Sequence, residues 1–281
     1  QNNFYSSFIV EIIMNLKDRI GYDAGSTPLE EALQFAIAHQ FHYLNFNADT
    51  GTNRLDNWTK DRAVAVQALC QQHDIHLSLH TASSVNVAET SPLVDDAVDT
   101  YLRENINVAF LLGCEAVVVH GGYHFSSSVS YRMEKSLERL KRAVGYAEGL
   151  GAKLLLENLN FEPDAAEIHY LAHNVEECRY YLDAIQSESL GWAFTVNHAN
   201  LVPEGIDGFL DAFGVERIGE VRLADNLGNK EVHLNPGDGN IDFVSMFRRL
   251  ESSGFSKFYA MNFGSFEDML KARDLFAGYV L

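Results

Sequence analysis

Short apolar runs alternate along this chain with longer stretches in which apolar side chains recur every three to four positions. The short runs fall at residues 8–13, 42–46, 75–79, 116–119, 153–156, 192–196, 218–223 and 257–261, which makes eight. The helical periodicities follow at 28–39, 58–73, 95–112, 129–150, 175–185, 205–213, 243–252 and 265–279. Thr27 before Pro28 reads as an N-cap with proline at the first helical position. Gly113, Gly151 and Gly254 stand just past helix ends, where a left-handed glycine closes the last turn. Eight strand-then-helix units, with no linker rich in glycine, serine or proline, predict one domain over residues 1–281. Its expected fold is α/β, a single (β/α)8 TIM barrel. The alternative, a doubly wound open sheet, opens with a glycine-rich turn after its first strand. Residues 15–21 contain no such turn.

Composition narrows the chemistry. The chain has 281 residues, 47% of them hydrophobic, enough for a large core. Its 21 Lys+Arg against 39 Asp+Glu give a net charge of −18. That surface repels phosphate backbones and anionic lipid, so it counts against nucleic-acid and membrane partners, although a local basic groove survives in some acidic proteins. No stretch reaches the ~18 apolar residues of a membrane-crossing helix. The run at 8–14 carries Glu11 and reads as a strand rather than a signal segment. The sequence starts at Gln1, so a removed leader or tag stays open. Three cysteines, Cys70, Cys114 and Cys178, without CxxC spacing exclude a disulfide scaffold and point to a reducing, cytoplasmic setting.

A barrel of this kind carries its chemistry at the C-terminal ends of its strands. The third run ends in His80 and the fourth in His120-Gly-Gly. The fifth ends in Glu157-Asn158 and the sixth in Thr195-Val-Asn-His198. The seventh carries Arg222, ends near Asp225-Asn226 and is followed by Glu231-Val-His233; the eighth ends in Asn262. Histidines and carboxylates converging on one rim form a metal-site constellation. Each has a plainer reading, since a lone histidine at a strand end is usually a polar rim residue. Glu157, after three leucines, needs a partner if it enters the barrel mouth. His39, His42, His73 and His76 fall at helix ends or strand starts and read as structural, as do His169 and His173 in the loop after the fifth run. Tyr123, Phe125, Phe161 and Phe263 are rim aromatics that pack loops or wall a ligand.

These motifs together resemble the xylose-isomerase-like TIM barrels, which include sugar isomerases, epimerases and endonuclease IV. The most specific stretch is His233-Leu-Asn-Pro-Gly-Asp-Gly-Asn-Ile-Asp-Phe243. His198-Ala-Asn-Leu201, Glu157-Asn158, Val119-His120-Gly-Gly and Val221-Arg-Leu-Ala-Asp-Asn226 extend the likeness over essentially the whole chain. The resemblance implies a central divalent metal held by Glu, Asp, His and Glu. The matching positions here are Glu157, Thr195, Arg222 and Asn262, which cannot hold that ion. The central metal is therefore expected to be absent, with Arg222 in its place, pairing with Glu157 among neutral neighbours. The resemblance also implies two flanking metals, zinc or manganese. One would sit on His80, His120 and Glu157, the other on His198, Glu231 and His233.

Three functions compete. The first is a sugar isomerase or epimerase acting on a small carbohydrate or polyol, with Glu157 as base, Arg222 as electrophile and His198 assisting. Asn262, Thr195, Asn158 and His124 would then bind substrate. The second is a metal-dependent hydrolase, such as a phosphodiesterase, using both flanking triads. The third is a non-catalytic descendant that binds a ligand in the barrel mouth.

Overall fold

The computed structural model describes residues 14–279. Eight parallel strands close into a barrel: β1 (Ile20–Asp23), β2 (Tyr43–Asn47), β3 (His76–His80), β4 (Ala116–Val119), β5 (Leu154–Glu157), β6 (Leu190–Thr195), β7 (Ile218–Leu223) and β8 (Phe258–Met261). Each strand pairs with its sequence neighbours, and β8 returns to β1. The helices that follow them are α1 (Leu29–His39), α2 (Lys60–His73), α3 (Pro92–Leu112), α4 (Val129–Leu150), α5 (Val175–Ala184), α6 (Gly205–Phe213), α7 (Phe243–Ser252) and α8 (Phe266–Ala277). Among the described residues no helix is long and apolar enough to cross a membrane.

The first strand is not where the apolar pattern put it. The run at 8–13 lies outside the described residues, and the barrel position belongs to Ile20–Asp23, with Tyr22 opposite Leu44 on one side and Met261 on the other. Four residues, one of them glycine and one aspartate, make a weak hydrophobic signal. A second correction concerns α1. Its N-cap is Pro28, not Thr27, and the Leu29 N–H donates to Asn53 Oδ1 at 2.9 Å, so the cap comes from a separate loop. Gly113 and Gly151 do close α3 and α4 in the left-handed conformation.

Side chains alternate across the barrel wall. The outward set meets the helices in the main core. Trp192 and Phe194 of β6, for example, pack on Phe209 of α6 with ring centroids 6.0 and 6.2 Å away. Each such buried aromatic contributes about 2–3 kcal/mol. The inward set divides in two. Ala116, Val118, Leu155 and Ala193 form a small apolar cluster. Across from them Tyr43, Asn45, Glu220 and Arg222 are buried and polar. A bulge sets that polar half: Trp192 pairs with Ile218, but Ala193 pairs with Glu220. The extra residue, Gly219, brings Glu220 and Arg222 to the same inner face, two positions apart.

Candidate functional site

Three inward positions at the C-terminal rim form a first cluster. His80 ends β3, His120 follows β4 and Glu157 ends β5. His80 Nε2 lies 3.0 Å and His120 Nε2 3.1 Å from Glu157 Oε2, and the two imidazole nitrogens are 3.3 Å apart. Gly122 lets the chain leave the barrel beneath the 81–91 loop immediately after His120. Its φ is +85°, and an added Cβ would lie 2.4 Å from the Ala88 nitrogen. His120 is fully enclosed, and burial lowers its proton affinity, which keeps the ring neutral.

The two oxygens of Glu157 face different partners. Oε2 meets the histidines, whereas Oε1 accepts from Thr195 Oγ1 at 2.5 Å and lies 3.5 Å from Arg222 Nε. Burial pushes this carboxyl up, but His120, His80 and Arg222 outweigh it and hold it well below the usual range. The arginine and the histidines therefore do not compete for one oxygen.

A second cluster joins β6 to the β7–α7 loop. His198 stands on the helical turn Val196–Ala199 directly after β6, and Glu231 and His233 come from the loop. Glu231 Oε1 is 3.2 Å from His198 Nε2 and 2.7 Å from His233 Nε2. Each histidine is anchored from behind: His198 Nδ1–H donates to the Asn158 carbonyl at 2.8 Å, and His233 Nδ1–H to the Asn262 carbonyl at 2.6 Å. Those bonds fix the tautomer that leaves Nε2 facing the cavity. Asn197 Nδ2 donates to Glu231 at 3.1 Å. Burial raises the Glu231 carboxyl, yet His198 and His233 bring it down to about 2.

The loop carrying Glu231 and His233 is held by Asp225. Its Oδ2 accepts from the Gly237 and Gly239 N–H groups at 2.9 and 3.0 Å, and its Oδ1 from Asn226 and Ile241 at 2.9 and 3.1 Å. An added Cβ on Gly239 would lie 2.2 Å from that carboxylate, so only glycine fits. The Pro-Gly-Asp-Gly-Asn-Ile motif is thus a wrap around a buried carboxylate, and its effect is to place His233.

Arg222 lies between the clusters. Its NH2 donates to Asp23 at 2.6 Å and its NH1 to Glu220 at 2.7 Å, both closer than Glu157. Tyr43 OH and Asn45 Nδ2 also donate to Glu220. The expectation of neutral neighbours is corrected: Thr195 and Asn262 are neutral, but three carboxylates surround the guanidinium. Burial alone would lower the arginine's proton affinity, and Glu220, Asp23 and Glu157 raise it instead.

One cavity of about 330 Å³ is lined by both clusters together with Thr195, Arg222 and Asn262. Two expected substrate contacts lie elsewhere. Asn158 is fully buried and occupied within the wall, donating to the Thr195 carbonyl and accepting from Thr195 N and Trp192 Nε1. His124 sits on a two-stranded ribbon (Tyr123–His124 against His169–Tyr170), stacked on His169 at 5.3 Å. Tyr123 packs on Phe125 and Tyr170, as loop packing requires. His76 and His42 are tied to Glu115 and the Asp74 carbonyl, away from the cavity. Asp23, Glu220 and Asn197 were missed. Alternation along Ile-Gly-Glu-Val-Arg puts Glu220 on the face of Arg222, and Asp23 ends the strand that the apolar pattern overlooked.

A family model described as xylose isomerase-like TIM barrel matches residues 33–272. Uncharacterized protein MJ1311 of Methanocaldococcus jannaschii is 28% identical over 219 residues, covering 75% of this chain and 72% of its own. Probable endonuclease 4 of Pediococcus pentosaceus is 24% identical over 220 residues, covering 73% and 68%. Among solved structures, a D-tagatose 3-epimerase-like protein superposes with TM-score 0.81 at 24% identity, over 93% of this chain and 97% of the other. D-psicose 3-epimerase from Clostridium cellulolyticum H10 follows with TM-score 0.75 at 15% identity, over 94% and 99%. At these identities the structural likeness is one of fold.

Proposed function

The chain belongs to the xylose isomerase-like TIM-barrel family, and from that premise we propose that it is a metal-dependent hydrolase of a small phosphoester, bound between two histidine–carboxylate sites. The observation that carries this is the spacing of His80 Nε2, His120 Nε2 and Glu157 Oε2, 3.0 to 3.3 Å from one another. Ligands about 2.0–2.1 Å from a tetrahedral zinc lie about 3.3 Å apart. Hydrogen bonding alone is a poorer account, because two ring nitrogens meet one carboxylate oxygen while standing 3.3 Å from each other. The second set, His198, Glu231 and His233, has the same donors, and all its ligand atoms fall within 4.8 Å of one another. Two nitrogens and one oxygen suit zinc, with manganese the other fit. Divalent ions there would supply Lewis acidity and an activated water.

The protein's own groups do the positioning. The Asn158 and Asn262 carbonyls aim His198 and His233, and Asn197 orients Glu231. Thr195 and Arg222 hold Glu157 by Oε1 and leave Oε2 to the histidines. Arg222, already faced by three carboxylates, is a fixed part of the floor rather than a free electrophile. Glu157, held well below the carboxylate range, is a poor proton acceptor. Both points weigh against the acid–base mechanism built on those two residues.

Epimerisation of a small ketose is the second reading, favoured by the fold of the D-tagatose and D-psicose 3-epimerase structures. One experiment separates the two. Metal content is measured on purified protein, with hydrolysis of bis(p-nitrophenyl) phosphate and solvent-deuterium incorporation into D-tagatose and D-psicose. Two metals per chain, hydrolysis abolished by chelation and no deuterium uptake are expected. Deuterium uptake overturns hydrolysis in favour of epimerisation. A metal-free chain inert in both assays indicates a ligand-binding descendant.

A further inference from the structure

Ser83 and Tyr170 also line the cavity that the two clusters share, and neither belongs to a cluster. Tyr170 stands on the short ribbon opposite Tyr123, its ring edge-on to that of Tyr123 with centroids 6.2 Å apart. The ribbon is tied down by its backbone. The Leu171 N–H donates to the Gly122 carbonyl at 2.8 Å, the Tyr123 N–H to Asn86 Oδ1 at 2.9 Å, and Asn86 Nδ2 to the Tyr123 carbonyl at 3.2 Å. Asn86 lies in the same 81–91 loop as Ser83, whose hydroxyl is hydrogen-bonded to the Tyr170 phenol. The tyrosine is half-buried and open to the cavity. Burial, together with Glu162 and Glu231 of the same cavity, pushes its pKa up, and the Ser83 bond offsets only part of that. The group therefore stays a phenol at neutral pH.

The other proton-bearing groups of the cavity are committed. Thr195 Oγ1 donates to Glu157, Asn197 Nδ2 to Glu231 and Asn160 Nδ2 to Glu162. Arg222 is held among three carboxylates, and His198 and His233 give their Nδ1–H to backbone carbonyls. We infer that Tyr170 is the general acid of the hydrolysis, giving its phenolic proton to the leaving oxygen, and that it selects phosphoesters of unactivated alcohols and phenols. The inference rests on the phosphoester reading. As the oxygen of the attacking water bonds to phosphorus, the P–O bond to the leaving group breaks. Its electron pair stays on the leaving oxygen, which takes the Tyr170 proton and departs as a neutral alcohol. Ser83 donates to the phenolate oxygen left behind, and the proton shed by the attacking water restores the phenol through solvent. A phenol this reluctant to ionise protonates only an oxygen at least as basic as its own. It therefore serves an alkoxide or phenoxide and does nothing for a nitrophenolate, which leaves as a stable anion.

The test compares diphenyl phosphate with bis(p-nitrophenyl) phosphate on the protein as isolated. Tyr170→Phe keeps the ring against Tyr123. It should lower kcat/KM for diphenyl phosphate by about a hundredfold, the lower end of what a positioned general acid contributes, and for the nitrophenyl ester by less than about threefold. Ser83→Ala should cost about tenfold on diphenyl phosphate, one charge-assisted hydrogen bond, and leave the nitrophenyl ester unchanged. Both variants should keep the metal content and the urea midpoint of wild type. Equal losses on the two esters, or no loss on either, overturn the assignment, because a merely structural tyrosine does not sense the leaving group. It also falls if Glu162→Gln, and not Tyr170→Phe, shows the leaving-group-dependent loss, or if wild type cleaves only the nitrophenyl ester. A wild-type protein inert towards both esters sinks the hydrolase reading and the acid with it. Turnover of both at an unchanged ratio in Tyr170→Phe sinks the acid alone.

Discussion

Arg222 is 3% exposed and touches Asp23, Glu157 and Glu220. Removing one member of a buried ionic network costs about 3–5 kcal/mol, chiefly through the charges left unpaired. Arg222→Met should therefore lower stability by that order in urea denaturation, and Arg222→Met with Glu220→Gln should recover part of it. Glu220 is the most enclosed of the three acids, and as an amide it keeps the company of Tyr43 and Asn45 without a charge. If the single variant is as stable as wild type, the guanidinium does not hold the site together. At this scale strand-end position singled out His80, His120 and Glu157, while the resemblance was needed to sort them, with His198 and the loop residues Glu231 and His233, into two triads. The sequence carried the company of Arg222 only in part: Glu157 was expected and Glu220 follows from alternation, but Asp23 lies nearly two hundred residues away on the strand that the apolar pattern overlooked.

Seven of the eight strands were legible from apolar runs, and their helices from periodicity, because both patterns are written locally. The first strand was not, since Ile20–Asp23 gains its stability from pairing on both sides rather than from its own four residues. The loop between β7 and α7 is the other element whose logic is tertiary. Glycine and asparagine would ordinarily read as a solvated turn, yet four of its N–H groups converge on the buried Asp225. Asp225→Ala leaves those donors without their acceptor and should cost about 2–4 kcal/mol, at ~1 kcal/mol or less per bond after partial hydration. Because the loop places Glu231 and His233, the variant should also lose the second metal site and keep the first. Metal analysis should fall from two ions per chain to one. Retention of both ions by a destabilised variant would mean that Asp225 serves folding alone.

The whole molecule adds a field that neither clusters nor elements predict. With a net charge of −18, it would remain strongly acidic with the two proposed divalent ions bound. An approaching anion feels that field across about 30 Å at 0.01 M salt and across about 8 Å at 0.15 M. Encounter with a phosphoester should therefore be hindered at low ionic strength and relieved as salt screens the surface. For an anionic substrate kcat/KM should rise about two- to tenfold over that range of sodium chloride, while kcat changes little, since groups within the enclosed cavity are screened much less. A neutral sugar feels no such repulsion, and its kcat/KM should stay flat. The slope thus reports substrate charge independently of product analysis. A fall in kcat/KM with salt for the phosphoester would mean that the local field of the metals and Arg222 reaches beyond the rim and overrides the acidic exterior. Asp23, Glu157, Glu220 and Glu231 argue against that outcome. Packed around one guanidinium and the two pairs of histidines, which would hold the proposed metals, they hold down the positive charge of the barrel mouth at short range and leave the exterior charge to govern approach.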